Sequence, residues 1–410
     1  MAHSATAASA GVPSARLRLV AAILVGVVGP EVFIVQPGFV QGLVQNLGFD
    51  DQSAGYAASI EVWGITVTTL LMTFFSQRFN WRRVITVSLL VVALSNALCI
   101  GVHDKHIFVL LRFLAGAGAG SLISLSFTTV GLTEHPDRNF GYLIMWVLLY
   151  GAVVLYLMPA AYALSGMTGM LIFFAAFPLT ALPLVRAFPE SGAAAAAVEA
   201  DAVNLAAPWK ALALTAMFAY FIAQGVAWAY LFLIGTAGGL SEQHVATALT
   251  LSQVAGVAGA LLPALIGHRF GRWRPLTIGI AGGAVALAFL IGRFEYLPFT
   301  LWVCAYNFFW NMTHPFLLGS MASFDRRGRV VVHAVAMQML GLAIGPALAA
   351  SVISPAHYEH VNWLAIGFFA LSWVCIMPPV LASKSRAFCS RAPGPAKLSV
   401  LADGVRTIDD

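Results

Sequence analysis

Charge is what this chain has least of: only 10% of its 410 residues are Asp, Glu, Lys or Arg, against about 25% in an ordinary soluble domain. A water-facing surface cannot be built from so few charges, so composition excludes a soluble globular fold. Cysteine is scarce as well. Cys99, Cys304, Cys375 and Cys389 have no metal-ligand spacing, so neither disulfides nor zinc are expected, and they read as small packing residues. The chain has no nucleotide loop, no His/Cys metal cluster and no nucleophile with a base at recognisable spacing. An enzyme, direct use of ATP and a bound cofactor are all disfavoured.

What fills the chain is apolar, with 60% hydrophobic residues and a mean hydropathy of +0.85. A bilayer crossing needs roughly 20 mainly apolar residues. Twelve such stretches are expected, near 17–45, 53–77, 84–102, 107–131, 140–163, 167–187, 209–236, 242–267, 275–292, 297–322, 330–353 and 361–382. The lipid bilayer is therefore the first partner. The apolar run after Arg16 and Arg18 exceeds the roughly 7–15 residues of a secretory signal and reads as an uncleaved first span.

Cytoplasmic loops retain Lys and Arg, which orients the chain. With the N-terminus inside, the internal loops and tails collect Arg16, Arg18, Arg78, Arg82, Arg83, Arg138, Arg186, Lys210, Arg269, Arg272, Arg274, Arg326, Arg327 and Arg329; only Lys105 and Arg293 fall outside. Both termini are expected in the cytoplasm, in a multi-pass protein of the cell inner (plasma) membrane. The net charge of +5 is then a topology signal, and no nucleic-acid partner is needed to explain it.

The chain is built twice. Arg78-Phe79-Asn80-Trp81-Arg82-Arg83 follows the second stretch and Arg269-Phe270-Gly271-Arg272-Trp273-Arg274 the eighth, with Thr86 and Thr277 in the same register. Asp137-Arg138 and Asp325-Arg326 repeat after the fourth and tenth. Such repeats point to two facing six-helix bundles. The expected organisation is a cytoplasmic tail 1–16, a first bundle 17–187, an alanine-rich cytoplasmic linker 188–208, a second bundle 209–382 and a disordered cytoplasmic tail 383–410.

These loops, with Arg112-Phe113-Leu114-Ala115-Gly116-Ala117-Gly118-Ala119-Gly120 in the fourth stretch, resemble the major facilitator superfamily over essentially all of residues 17–382. Gln77 and His268 stand where that family's loop usually carries an acidic residue, and Asn80 replaces the first-half glycine. The resemblance implies an all-α polytopic fold with 12 transmembrane helices in two pseudo-symmetric bundles. It also implies secondary transport by alternating access, with first, second and fourth spans that neighbour one another. The expected oligomeric state is a monomer.

Three charges lie deep inside spans, away from their ends. At about 1.5 Å per residue, Glu31 falls roughly 21 Å from the cytoplasmic face, Glu61 roughly 18 Å and Arg112 roughly 22 Å, near one level in a core of about 30 Å. Each costs on the order of 2.5–3.5 kcal/mol on insertion scales and is expected to face a cavity or another charge. One reading is a structural ion pair between Arg112 and one glutamate. That leaves a second carboxylate, and a buried carboxylate without a counter-charge can take up or release a proton. Glu31 is preferred as proton carrier because Pro30 opens the helix beside it; Glu61 is either a second coupling site or a residue of the periplasmic rim.

Arg112 is expected to meet the substrate, facing a wall from the second bundle. Trp228 lies four residues after Gln224, and Asn311 and His314 lie four and seven after Asn307, so each set shares a helix face; Tyr230, Tyr306 and Trp310 add aromatic surface. Packing or lipid contact is the plainer reading of such aromatic stripes. Trp63, Trp146 and Tyr150 are lesser candidates from the first bundle. Gly116, Gly118 and Gly120 read as close-packing residues. Arg78, Arg83, Arg269 and Arg274 are candidate gating residues, or simply anchors of topology. The expected function is proton-coupled symport of a small organic solute, a carboxylate or aromatic compound. The alternatives are proton-coupled export of drugs or amphiphilic metabolites, and a receptor that no longer transports. The fifth span has Gly151 and Met158-Pro159 without the Gly-Pro pairing that family exporters often carry, which tilts the expectation toward uptake.

Overall fold

A computed structural model describes residues 14–75, 78–102, 104–131, 136–190, 205–266, 271–324, 329–354 and 357–391. Among the described residues every regular element is helical. The first crossing is cut into α1 (Ala15–Val28), α2 (Glu31–Ile34) and α3 (Gln36–Leu47). Pro30 ends α1 because it has no N–H to continue the ladder, Val35 interrupts again at φ −103° and ψ 18°, and Pro37 enters the first turn of α3, where its missing donor costs nothing.

Then come α4 (Asp51–Phe75), α5 (Trp81–Leu98), α6 (Lys105–Gly131) and α7 (Pro136–Leu179). With 44 residues, α7 is about 66 Å long, twice the bilayer core. It breaks at Gly166 (φ 60°, ψ −160°), a backbone that only glycine adopts without strain, and so supplies two crossings. A short 3-10 segment, Leu182–Ala187, completes the second. The second half has α8 (Ala207–Ala237), α9 (Glu242–Ile266), α10 (Trp273–Ala288), α11 (Tyr296–Ser323), α12 (Arg329–Val352) and α13 (Glu359–Arg391). Among the described residues, with α1–α3 as one crossing and α7 as two, these helices make twelve crossings in two six-helix bundles. Phe74, Leu94, Leu164 and Leu265 stand outward and exposed, as side chains covered by lipid must. Helix α13 runs past residue 383, where the tail was expected to begin, as far as Arg391.

Close backbone packing fixes the charged residues. A Cβ on Gly116 would collide with the Glu61 carbonyl oxygen, and one on Gly120 with that of Ile65, so α6 rides directly on α4. The second half repeats the device: a Cβ on Gly259 of α9 would collide with the Phe308 carbonyl oxygen of α11.

Hydrogen bonds tie the two bundles near the end that carries the 48–50 and 238–241 loops. Tyr230 donates to the Asp51 carbonyl (2.8 Å) and Tyr358 to Asp51 Oδ2 (2.6 Å), while Gln45 donates to Glu242. Deeper, Thr250 reaches Ala152 O (3.0 Å), Ser59 reaches Ala343 O (2.5 Å) and Thr66 reaches Met339 O (3.0 Å).

Candidate functional site: a buried charge cluster behind an interbundle cavity

The three charges of the first half do come together. Arg112 Nη1 lies 3.7 Å from Glu61 Oε2, an ion pair longer than a hydrogen bond, and both side chains are nearly without exposure, at 0% and 7%. Asn96 of α5 links this pair to Glu31: its Oδ1 accepts from Arg112 Nη2 (2.6 Å) and its Nδ2 donates to Glu31 Oε1 (3.3 Å). The same amide nitrogen reaches Val92 O and Phe174 O, which anchors it to two helices. Cys99 Sγ accepts weakly from Arg112 Nη2 (3.5 Å), and the guanidinium lies 5.5 Å and 5.7 Å from the ring centres of Phe39 and Phe108. Glu31 Oε2, Arg112 Nε and the Tyr150 hydroxyl are buried with no hydrogen-bond partner. If Arg112 and both glutamates were ionised, the cluster would carry one uncompensated negative charge, which a single proton removes.

Beside the cluster, between the bundles, lies a cavity of about 480 Å³. The first half contributes an apolar wall that includes Pro30, Phe33, Ile34, Val62 and Ile65; the second half contributes Trp228, Gln253, Asn307, Trp310, Asn311, His314 and Gln338. Pro30 and Val62 are the chain neighbours of Glu31 and Glu61, so the cluster sits one residue behind the wall. Trp228 Nε1 donates to Phe33 O (3.3 Å), which joins the wall to the broken helix beside Glu31.

The polar side chains of the cavity form a chain of amides. Asn307 Nδ2 donates to Ser252 Oγ and to Gln253 Oε1 (both 3.1 Å), Asn311 Nδ2 donates to Asn307 Oδ1 (2.6 Å), and His314 Nε2 pairs with Gln338 Oε1 (3.0 Å). Trp310 packs edge-on against Trp228, with ring centres 5.8 Å apart. Among the described lining residues none is Asp, Glu, Lys or Arg.

The expected site residues thus divide. Trp228, Asn307, Trp310, Asn311 and His314 line the cavity. Arg112 does not, nor do Gln224 and Tyr306, which satisfy each other inside the second bundle (Tyr306 hydroxyl to Gln224 Oε1, 2.5 Å). Glu61 is buried, ten residues into α4. Trp63 is half-buried against the core, Trp146 is 49% exposed on the outside, and Tyr150 stacks on Phe177 at 5.2 Å. Arg78, Arg83 and Arg274 are exposed, with Arg78 over the Phe75 ring and Arg274 over Trp273; Arg269 lies outside the described residues.

Asn96, Gln253 and Gln338 are site residues that the sequence reading does not single out. Each is an amide deep in an apolar span, and that is the available signal, since an amide in hydrocarbon needs a partner.

The architecture agrees with comparison to known proteins. No curated protein matches the sequence. Among solved structures, a mutant form of the nucleoside transporter NupG superposes with a TM-score of 0.69 at 13% identity, covering 88% of this chain and 99% of that one. A bacterial homologue of the human lysosomal transporter Spinster, inward-facing and unoccupied, gives a TM-score of 0.63 at 14% identity over 93% and 100%. At such identities the likeness is one of fold. The family model described as Major Facilitator Superfamily matches residues 21–324, and the chain belongs to that superfamily of membrane transporters.

Proposed function

We propose that this transporter carries a small, uncharged, flat organic solute with hydrogen-bonding edges, and that a proton held in the Glu31 cluster is coupled to its movement. The cavity wall carries this reading. Flat apolar surfaces from Trp228, Trp310 and Phe33 would sandwich a ring, and Gln253, Asn311 and Gln338 keep amide atoms that bond no described protein group, ready for a ring's edge. An anion would find no cation there. The aromatic branch of the expected substrate class is therefore favoured over the carboxylate branch, and Arg112 serves to hold Glu61 and Asn96.

Alternating access is the mechanism that two facing bundles supply. With the N-terminus inside, the ties at Asp51, Gln45 and Thr250 close the outer end, and the cavity belongs to the cytoplasmic half. Arg78, Arg83, Arg269 and Arg274 would act on switching at that face without touching solute. Inward proton-coupled symport in a plasma membrane by a monomer is the arrangement we favour.

A thermal-shift screen of the purified protein tests the solute class, because a ligand that binds the folded state at about 100 times its Kd adds roughly 2.7 kcal/mol of stability. Neutral heteroaromatic compounds, nucleosides among them, should raise the melting temperature, and Trp310→Ala should remove that shift. A response confined to organic acids, sugars or cationic drugs overturns the proposal.

A further inference from the structure

Outside the cavity, one cluster of ligating side chains has no place in the transport reading. His357 just precedes α13 and Glu359 and His360 open it, at the same end of the molecule as the Asp51 ties, and their nearest ligand atoms all lie within 4.8 Å of one another. His357 Nδ1 already meets Glu359 Oε1 at 2.8 Å, and the two imidazoles stack at 5.1 Å. Donor atoms around a four-coordinate zinc stand about 3.4 Å apart, given bonds of about 2.0–2.2 Å. Small rotations of half-exposed side chains close the difference. Two imidazoles and one carboxylate form a donor set for zinc, nickel or copper, and too poor in oxygen for calcium.

Tyr358 stands between these residues and donates to Asp51 Oδ2 at 2.6 Å, one of the bonds that tie the second bundle to α4. We propose that His357, Glu359 and His360 bind a divalent transition-metal ion, and that the bound ion fixes Tyr358 on Asp51 and holds this end of the carrier closed. The ion chelates residues on both sides of Tyr358, so it removes the backbone freedom that Tyr358 needs to leave Asp51. The locking half rests on the alternating-access reading; the binding half does not.

The test uses the full chain in lipid nanodiscs, purified with a tag free of histidine, and zinc chloride as probe. Calorimetry should give one site, weakened at least tenfold in His357→Ala/His360→Ala and also weakened in Glu359→Gln; these side chains are solvent-facing, so the variants fold. Absent binding, or affinity unchanged in the double variant, overturns the site. Spin labels at Leu47→Cys and Ser241→Cys then report the separation of the bundles at that end. Zinc should narrow the distances to the closed value in the parent and leave Tyr358→Phe unaffected. Zinc that binds without altering this distribution overturns the locking, and the transport reading stands apart from either result.

Discussion

Asn96 accepts a 2.6 Å hydrogen bond from Arg112 while its amide nitrogen faces Glu31, so one neutral side chain joins the paired and the unpaired carboxylate of the first bundle. Replacing it with leucine should break both links without touching the cavity. Asn96→Leu is expected to change the pH profile and lower the rate of proton-driven uptake while solute affinity stays at the parent value. Equal losses of affinity and rate, with an unaltered profile, would reduce Asn96 to a packing residue.

The Arg112–Glu61 pair makes a prediction about stability. Removing one partner of a buried pair leaves the other charge uncompensated, at roughly 3–5 kcal/mol. Arg112→Gln should therefore melt well below the parent, and Arg112→Gln/Glu61→Gln should recover part of the loss. Tryptophan fluorescence on heating distinguishes the cases: a double variant no more stable than the single would mean that the contact at 3.7 Å is energetically idle.

Cavity residues and residues behind the wall should separate cleanly. Asn311→Leu and Gln338→Leu each remove an amide offered to the solute and should weaken binding about tenfold, the cost of one polar group left unpaired. Gln224→Leu strands the buried Tyr306 hydroxyl instead, so it should lower the melting temperature and leave affinity intact. Isothermal titration on all three decides it; weakened binding in Gln224→Leu at unchanged stability would put Gln224 in contact with the solute.

At the loop before α4, Asp50 accepts from the backbone N–H and the hydroxyl of Ser53, both at 2.8 Å. The Ser53 backbone bond, then its hydroxyl, hold the Asp50 carboxyl below its ordinary range, and Lys105 adds a smaller pull. A carboxylate depressed on folding stabilises the protein above its unfolded pKa, about 3.9, and that stabilisation fades as pH falls through the lower folded value. Asp50→Ala should cost about 1 kcal/mol at neutral pH, as expected for a helix cap. The gap between the melting curves should shrink as the pH drops below about 4; a gap that stays constant would show that the carboxylate charge is irrelevant.

Sequence carried the fold far because hydrocarbon leaves the backbone few choices, and the number of crossings follows from apolar length. It carried the charge cluster too, since Glu31, Glu61 and Arg112 stand out against apolar spans at similar depth. What it could not give was direction around each helix. Arg112 and Asn311 both lie inside spans, yet one faces its own bundle and the other the cavity, and that difference is set by which helix packs on which glycine. The merging of two crossings in α7 likewise depends on Gly166 sustaining a turn without a separate loop.

Glu31 remains the best candidate for the coupled proton. One of its oxygens accepts from Asn96 and the other has no partner, although the side chain is only 2% exposed. It opens α2 just past Pro30, which lines the cavity, so movement of the broken helix during switching would carry the carboxyl between differing surroundings. Glu31→Gln fixes the neutral form with the same shape. In proteoliposomes the variant should lose accumulation driven by an imposed proton gradient, while exchange of solute between equal pools continues. If it still concentrates solute, the proton travels elsewhere, and Glu31→Gln/Glu61→Gln then tests whether the paired carboxylate takes its place.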